Sequence, residues 1–306
     1  MSFSDAVRRE ICTYITDKDK RFACLYGMLL FSRILTPQHI CFQSKNETSA
    51  ETFGILFGKV FHHKLSCRES VGKNGGKLYI YDISEAELAE AVIEKYRISE
   101  KTRQINYDII STGSLGVFAA GGFLACGSVI DPEKEYHLEF AVPEQKLAEE
   151  FISLLSDIGV AARSAVRRGQ TIVYIKGSEG IEDTLTFIGA QQCTLELMNV
   201  KIYKDVRNKA NRIANCDSAN IDKVVSAAMK QIEDISLIAN NRGLDDLPDE
   251  LKEIARLRIE NPTMSLQEIG ESLSEPLSRS GVNHRFKRIA AIAQEIRMAG
   301  EKVEGR

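Results

Sequence analysis

Between residues 279 and 297 five bases accompany a single acid, a local charge of +4 with His284 neutral, in a chain whose formal net charge is −3. At 100° per residue Ser280, His284, Lys287 and Ala291 fall on one side of a helix, flanked by Asn283 and Arg288. Val282, Phe286, Ile289, Ala290, Ala293 and Ile296 fall on the other side and read as its core face. The chemistry of the polar side is noncovalent. Ser280, Asn283, His284 and Lys287 carry groups that can meet base edges, while Arg279, Arg285 and Arg288 are suited to phosphates. The plainer reading of the same residues is an amphipathic helix whose basic tips snorkel into water.

The elements that must position this helix are legible just upstream. Leu251, Ile254, Ala255 and Ile259 form the apolar stripe of a first helix that stops at Asn261-Pro262. Ser265-Leu266-Gln267-Glu268 has the form of a capping box, with Met264 and Ile269 placed as its hydrophobic staple. A second helix would then bury Leu266, Ile269 and Leu273, with Gly270 permitting a close crossing. After Ser274-Glu275-Pro276-Leu277-Ser278 comes the basic helix, expected from about Ser280 to Arg297. Three short helices ending in a basic one describe a helix-turn-helix module over 244–306. Residues 244–275 carry nine acids and three bases, so the supporting helices would repel phosphate while the third attracts it.

Residues 206–243 read as a connector. Asn208, Asn211 and Asn215 would share one side of a helix, with Arg212 beside them. These four either touch nucleic acid or, since asparagine favours caps and turns, fix the junction between domains. An amphipathic helix is expected from Asn220 to Asn240, ended by Asn241-Arg242-Gly243.

Seven cysteines, an odd number without a C-x-x-C pair, read as reduced thiols and argue against structural zinc. No apolar run reaches the length of a membrane span, and Met1-Ser2-Phe3-Ser4-Asp5 begins no secretory leader, so a cytoplasmic protein is expected, nucleoid-associated where the basic helix meets DNA. No cofactor, metal or small-molecule substrate is evident. At 306 residues, 43% apolar and 27% charged, the chain can build two soluble domains.

The first 205 residues contain a duplication. Gly27 matches Gly121 at an offset of 94, and Leu30 matches Leu124, Phe57 matches Phe151, Gly75 matches Gly169 and Ser84-Glu85 matches Ser178-Glu179. An unbroken offset implies one folding unit made twice, halves about 20–110 and 114–200. Each half is expected to run glycine-bearing helix, strand, amphipathic helix, strand pair, helix, with hairpin turns at Asn74-Gly75-Gly76 and Arg168-Gly169. This pattern resembles the LAGLIDADG homing-endonuclease fold. The resemblance implies paired glycine helices at the centre and an acid near the end of each that holds a divalent metal. Gly27 and Gly121 at the motif's third position put Ser32 and Cys126 where those acids belong. A hydroxyl and a thiol are poor ligands for Mg²⁺, which favours hard, charged oxygens. Asp131 lies just beyond the second helix, but Pro37 holds the matching place. The alternative is a pair of buried helices without nuclease ancestry. The hairpins are basic: residues 163–176, with Arg167 and Arg168, carry +4, and residues 61–77 carry +3. They form either a DNA-facing saddle or a solvated strand face.

The duplication, the asparagine-rich connector and Ser278-Arg279-Ser280-Gly281-Val282-Asn283-His284-Arg285 together resemble the WhiA family over nearly the whole chain. The resemblance implies an α+β protein: a duplicated LAGLIDADG-like domain followed by an all-α helix-turn-helix domain. It implies a bacterial, non-enzymatic DNA-binding regulator of sporulation, division or chromosome segregation. The expected partners are double-stranded DNA and another regulator or a sigma factor. The competing reading is an adaptor in cell division that binds protein without reading bases.

Overall fold

The computed structural model describes residues 2–71, 75–99 and 102–304. Its contacts divide the chain into two compact units, Met1–Asp205 and Val206–Arg306.

The first unit opens with helices α1 (Phe3–Tyr14) and α2 (Lys18–Leu30). Ser2 and Asp5 close a capping box on α1, and the Asp17 carboxylate accepts from Lys20 N at the start of α2. Strands β1 (Ile34–Thr36) and β2 (His39–Ser44), helix α3 (Glu47–Phe61), strands β3 (Cys67–Val71) and β4 (Lys77–Ile83) and helix α4 (Ala86–Lys95) complete the first half. The second half repeats them as α5 (Leu115–Cys126), β5 (Gly127–Val129), β6 (His137–Val142), α6 (Gln145–Asp157), β7 (Arg163–Arg167), β8 (Gln170–Lys176) and α7 (Ser178–Phe187). Each half holds one antiparallel sheet, ordered β1-β2-β4-β3 and β5-β6-β8-β7.

Two glycines let the halves meet. A Cβ on Gly27 would lie 2.1 Å from the Phe118 carbonyl oxygen, and one on Gly121 would lie 2.1 Å from that of Cys24. Only glycine leaves two helix backbones this close, so α2 and α5 form the buried axis of the unit. The turn between β7 and β8 has φ of 53° at Arg168 and 77° at Gly169, the paired positive values of a tight two-residue hairpin. In the first half Gly75 has φ of 76°, whereas Asn74 of the expected turn lies outside the described residues.

Three sequence expectations for this region need correction. The offset of 94 is not unbroken. Phe42 stacks on Phe53 at 4.1 Å between ring centroids and Phe140 packs on Phe151 at 4.8 Å, so the partner of Phe151 is Phe53, 98 residues upstream, and not Phe57. The β5–β6 connection is longer than the β1–β2 turn, and the shorter α6 and β7–β8 hairpin bring the register back. Each half has a short additional strand, β1 or β5, directly after its glycine helix. Helix α1 precedes the duplicated region and packs Phe3, Val7 and Ile11 into the same core.

Helix α8 (Gln191–Asn241) contains the point of division between the units. It corrects the expected connector: Asn208, Asn211, Arg212 and Asn215 lie inside one continuous helix and are exposed, so the asparagines cap no turn, and no separate helix begins at Asn220. In the first unit Cys193 and Leu197 of α8 join the core.

The second unit packs Ile235 and Ile238 of α8 against helices α9 (Asp249–Glu260), α10 (Leu266–Ser272) and α11 (Arg279–Glu304). The capping box forms: Glu268 N donates to Ser265 Oγ at 3.2 Å and Ser265 N to Glu268 Oε2 at 2.7 Å. Gly270 is required, since a Cβ there would lie 2.3 Å from the Leu277 carbonyl oxygen. The α9 stripe differs from the expected one: Ile259 is exposed, and Arg258 is buried with Leu251, Ile254 and Ala255. Helix α11 runs past the expected end at Arg297. Among the described residues no helix is long and apolar enough to cross a membrane.

Candidate nucleic-acid interface

The interface is built on α11. Val282, Phe286, Ile289, Ala293 and Ile296 are buried against α8, α9 and α10, and Ala290 is half-buried. Ser278 starts the helix: its carbonyl accepts from Val282 N at 3.0 Å and its Oγ from Gly281 N at 3.3 Å. With the apolar side fixed, Arg279, Ser280, Asn283, His284 and Lys287 are exposed together. None of these five side chains has a protein hydrogen-bond or ion-pair partner among the described residues.

The other two arginines are held. Arg288 donates to Glu250 Oε1 and forms an ion pair with it. Arg285 Nη1 donates to the Glu250 carbonyl at 3.3 Å, and Nη2 lies 3.8 Å from Oε2. The Arg288 hydrogen bond and charge, with smaller help from Arg285 and His284, hold the Glu250 carboxyl below its usual range. A phosphate must therefore compete with Glu250 for these two guanidinium groups. The sequence reading placed the acids of the supporting helices away from α11, and Glu250 is an exception to that.

The other candidate residues belong to other elements, β7 and its turn in the first unit and α8. Arg167 is exposed on β7, 3.5 Å from Glu139 Oε2, and Arg168 is exposed in the hairpin turn.

At the ends of the glycine helices, beside Ser32 and Cys126, the chain places the guanidinium groups of Arg103 and Arg8. Ser32 is buried, and its Oγ donates to the Ile34 carbonyl at 3.1 Å. Burial pushes the Cys126 thiol up to about 12. Arg103 Nη1 donates to the Leu30 carbonyl at 3.1 Å and to that of Ser32, and Nη2 donates to that of Arg33 at 3.4 Å. These bonds satisfy carbonyls that the end of α2 leaves open. Arg8 does the corresponding work beyond α5, with Nη2 donating to the Gly127 carbonyl at 2.5 Å and Cζ 5.3 Å from the Phe123 ring. Burial lowers the pKa of both arginines from the usual value. Among the described residues no group of three His, Cys, Asp or Glu side chains is placed to hold a metal ion.

Sequence reasoning missed Arg8, Arg103, Glu250 and Arg258. Arg258 alone left a signal, seven residues after Leu251 on the apolar side of α9.

The geometry defines a class: a duplicated LAGLIDADG-like domain joined to a helix-turn-helix domain. Residues 115–207 match the WhiA LAGLIDADG-like domain and residues 210–293 match the WhiA C-terminal HTH domain. A relative from Clostridium tetani, "Probable cell division protein WhiA", is 37% identical over 98% of this chain and 99% of its own length. One of the same name from Clostridium perfringens is 36% identical over 97% and 99%. Full-length DUF199/WhiA from Thermatoga maritima superposes with a TM-score of 0.58 at 25% identity, covering 96% of this chain and 99% of that one. The chain belongs to the WhiA family.

Proposed function

We propose that the chain is a sequence-specific binder of double-stranded DNA and a transcription regulator serving sporulation, cell division or chromosome segregation. The observation that carries this reading is the division of α11, with one side in the core and Ser280, Asn283, His284 and Lys287 exposed without partners on the other. In this reading α11 enters the major groove, those four side chains meet base edges, and Arg279 holds a phosphate. Arg285 and Arg288 join it when phosphate displaces Glu250. Arg167, Arg168, Asn208, Asn211, Arg212 and Asn215 supply secondary backbone contacts, and another regulator or a sigma factor is the protein partner. The work is done at the nucleoid.

The duplicated domain acts as a scaffold and does not cut DNA. Its support is chemical: an engaged hydroxyl at Ser32 and a thiol at Cys126 that stays protonated do not supply the charged oxygens Mg²⁺ needs. The test is a mobility shift with the full chain on a genomic fragment pool at two salt concentrations, with Mg²⁺ present. A subset of fragments should be retarded, less so at high salt, and should be recovered intact. Equal retardation of every fragment, or cleavage that requires Ser32 or Cys126, would overturn the reading.

A further inference from the structure

Arg258 is the feature of the second unit that DNA reading by α11 does not use. Its residue exposure is 2%, yet no carboxylate of the described residues lies within ion-pair distance. Its Nε donates to Gln231 Oε1 at 3.0 Å, and Nη1 donates to the carbonyls of Pro262 at 3.3 Å and Met264 at 2.6 Å. The Phe286 ring lies 5.4 Å from Cζ. Nη2 has no protein partner among the described residues. Neutral acceptors relieve part of the cost of burying the charge, but buried charges are ordinarily paired with an opposite one. Burial accordingly lowers the Arg258 pKa, with no carboxylate to raise it again.

The missing counter-charge has a place to sit. Arg258 lines a cavity of about 360 Å³ together with Lys223 of α8, Arg279 at the start of α11, and Ser265 and Gln267 at the start of α10. Among the described residues none that lines it is acidic, and Val224, Ala227, Ala228 and Leu266 form its apolar part. Lys223 and Arg279 are exposed and Arg258 is buried, so the cavity lining carries two solvent-accessible cations and one buried one. A second hollow, lined by Leu266, Arg279, Ser280 and Asn283, shares Leu266 and Arg279 with the cavity and lies on the exposed side of α11.

We infer that this cavity binds a phosphate group, held by Lys223 and Arg279 and neutralising the buried Arg258. The phosphate is a backbone diester of the duplex, immediately beside the bases that Ser280 and Asn283 reach. In this form the inference rests on DNA binding by α11. A free phosphate ester offers the same chemistry, and the experiment separates the two sources.

The test uses the full chain and two variants, Lys223→Ala at an exposed site and Arg258→Gln with its fold checked by circular dichroism. Lys223→Ala should weaken binding about threefold to tenfold on preferred and unrelated duplexes alike, and reduce the salt slope by about 0.9, the value of one phosphate contact. Ethylation of one backbone phosphate should interfere with binding by the wild type and lose its effect in Lys223→Ala. Inorganic phosphate, compared with chloride at equal ionic strength, should raise the melting temperature of the wild type and not of Arg258→Gln. A phosphate-dependent rise with unchanged DNA binding by Lys223→Ala would overturn the backbone assignment and give the site to a free phosphate. An unchanged slope with no phosphate effect would overturn the site altogether. Loss of the Lys223 slope term with sequence preference untouched by changes at Lys287 would sink base reading by α11 and leave the phosphate site standing.

Discussion

Replacing Gly121 with alanine places a methyl group in occupied space. An ideal Cβ there lies 2.1 Å from the Cys24 carbonyl oxygen and 2.9 Å from Met28 N. A carbon approaches a carbonyl oxygen comfortably at about 3.3 Å, so α2 and α5 would have to part by roughly 1 Å. That separation opens a seam in which Leu25, Tyr26, Phe118 and Phe123 are fully buried. Overpacking costs about 1–3 kcal/mol when side chains can yield, and here the obstacle is backbone, so the upper end applies. Alanine returns at most about 1 kcal/mol of helix propensity. The net loss should be about 2 kcal/mol, which in a unit of this size lowers the melting midpoint by about 4–8 °C. Thermal unfolding followed by circular dichroism measures it. Gly58→Ala is the control: it also lies within a helix, but its Cβ would meet nothing nearer than the His63 carbonyl oxygen at 3.7 Å. That variant should melt at or above the wild type. If Gly121→Ala did the same, the packing argument for the central pair would be wrong.

Two further substitutions test charges that the structure places. Arg103→Met removes the guanidinium from the carbonyls of Leu30, Ser32 and Arg33, while the exposed Glu144 carboxylate keeps its bond from the backbone N–H of residue 103, so the loss should be about 1–3 kcal/mol in urea unfolding; a change within error would show that the end of α2 does not need it. Glu250→Gln removes the carboxylate that phosphate must displace from Arg288 and Arg285, the latter keeping its bond to the backbone carbonyl of residue 250, so DNA affinity should rise. An unchanged affinity would mean that these arginines never reach phosphate. The same ion pair has a pH signature. Because the Glu250 carboxyl is lowered in the folded chain, its contribution to stability is present above the ordinary glutamate pKa and disappears as pH falls through the lowered one. Carboxyl NMR titration should find Glu250 below the ordinary glutamate range, and Arg288→Ala should raise it toward that range.

Much of the architecture was legible because it repeats or alternates. The amphipathic helix expected in the second half is α6, whose Leu147, Phe151, Leu154 and Leu155 stand at helical spacing and are all buried. Ser265 and Glu268 announced the start of α10 because a capping box is local chemistry. The register of the duplication was read less well. Matching residues at a fixed offset paired Phe151 with Phe57, whereas packing pairs it with Phe53, and length changes in loops leave no mark on a glycine-to-glycine count. Helix α8 was misread because its asparagines resemble caps; propensity is weak against a long continuous helix. The exposed side of α11 followed from periodicity. Its restraint by Glu250 did not, since the two residues are 38 positions apart. Arg103 reaches α2 across 73 positions from a segment without periodic structure, so nothing local marked it.

The account depends on α11 meeting bases through Lys287 and its neighbours. Selection of bound duplexes from a random pool, run in parallel on the wild type and Lys287→Ala, addresses that directly. The wild type should enrich one motif, and the variant should relax it at one or two adjacent positions while keeping the remainder, a discrimination loss of about 1–3 kcal/mol there. A variant that binds every sequence more weakly by the same factor, with the motif unchanged, would place Lys287 on the backbone and contradict base reading by α11.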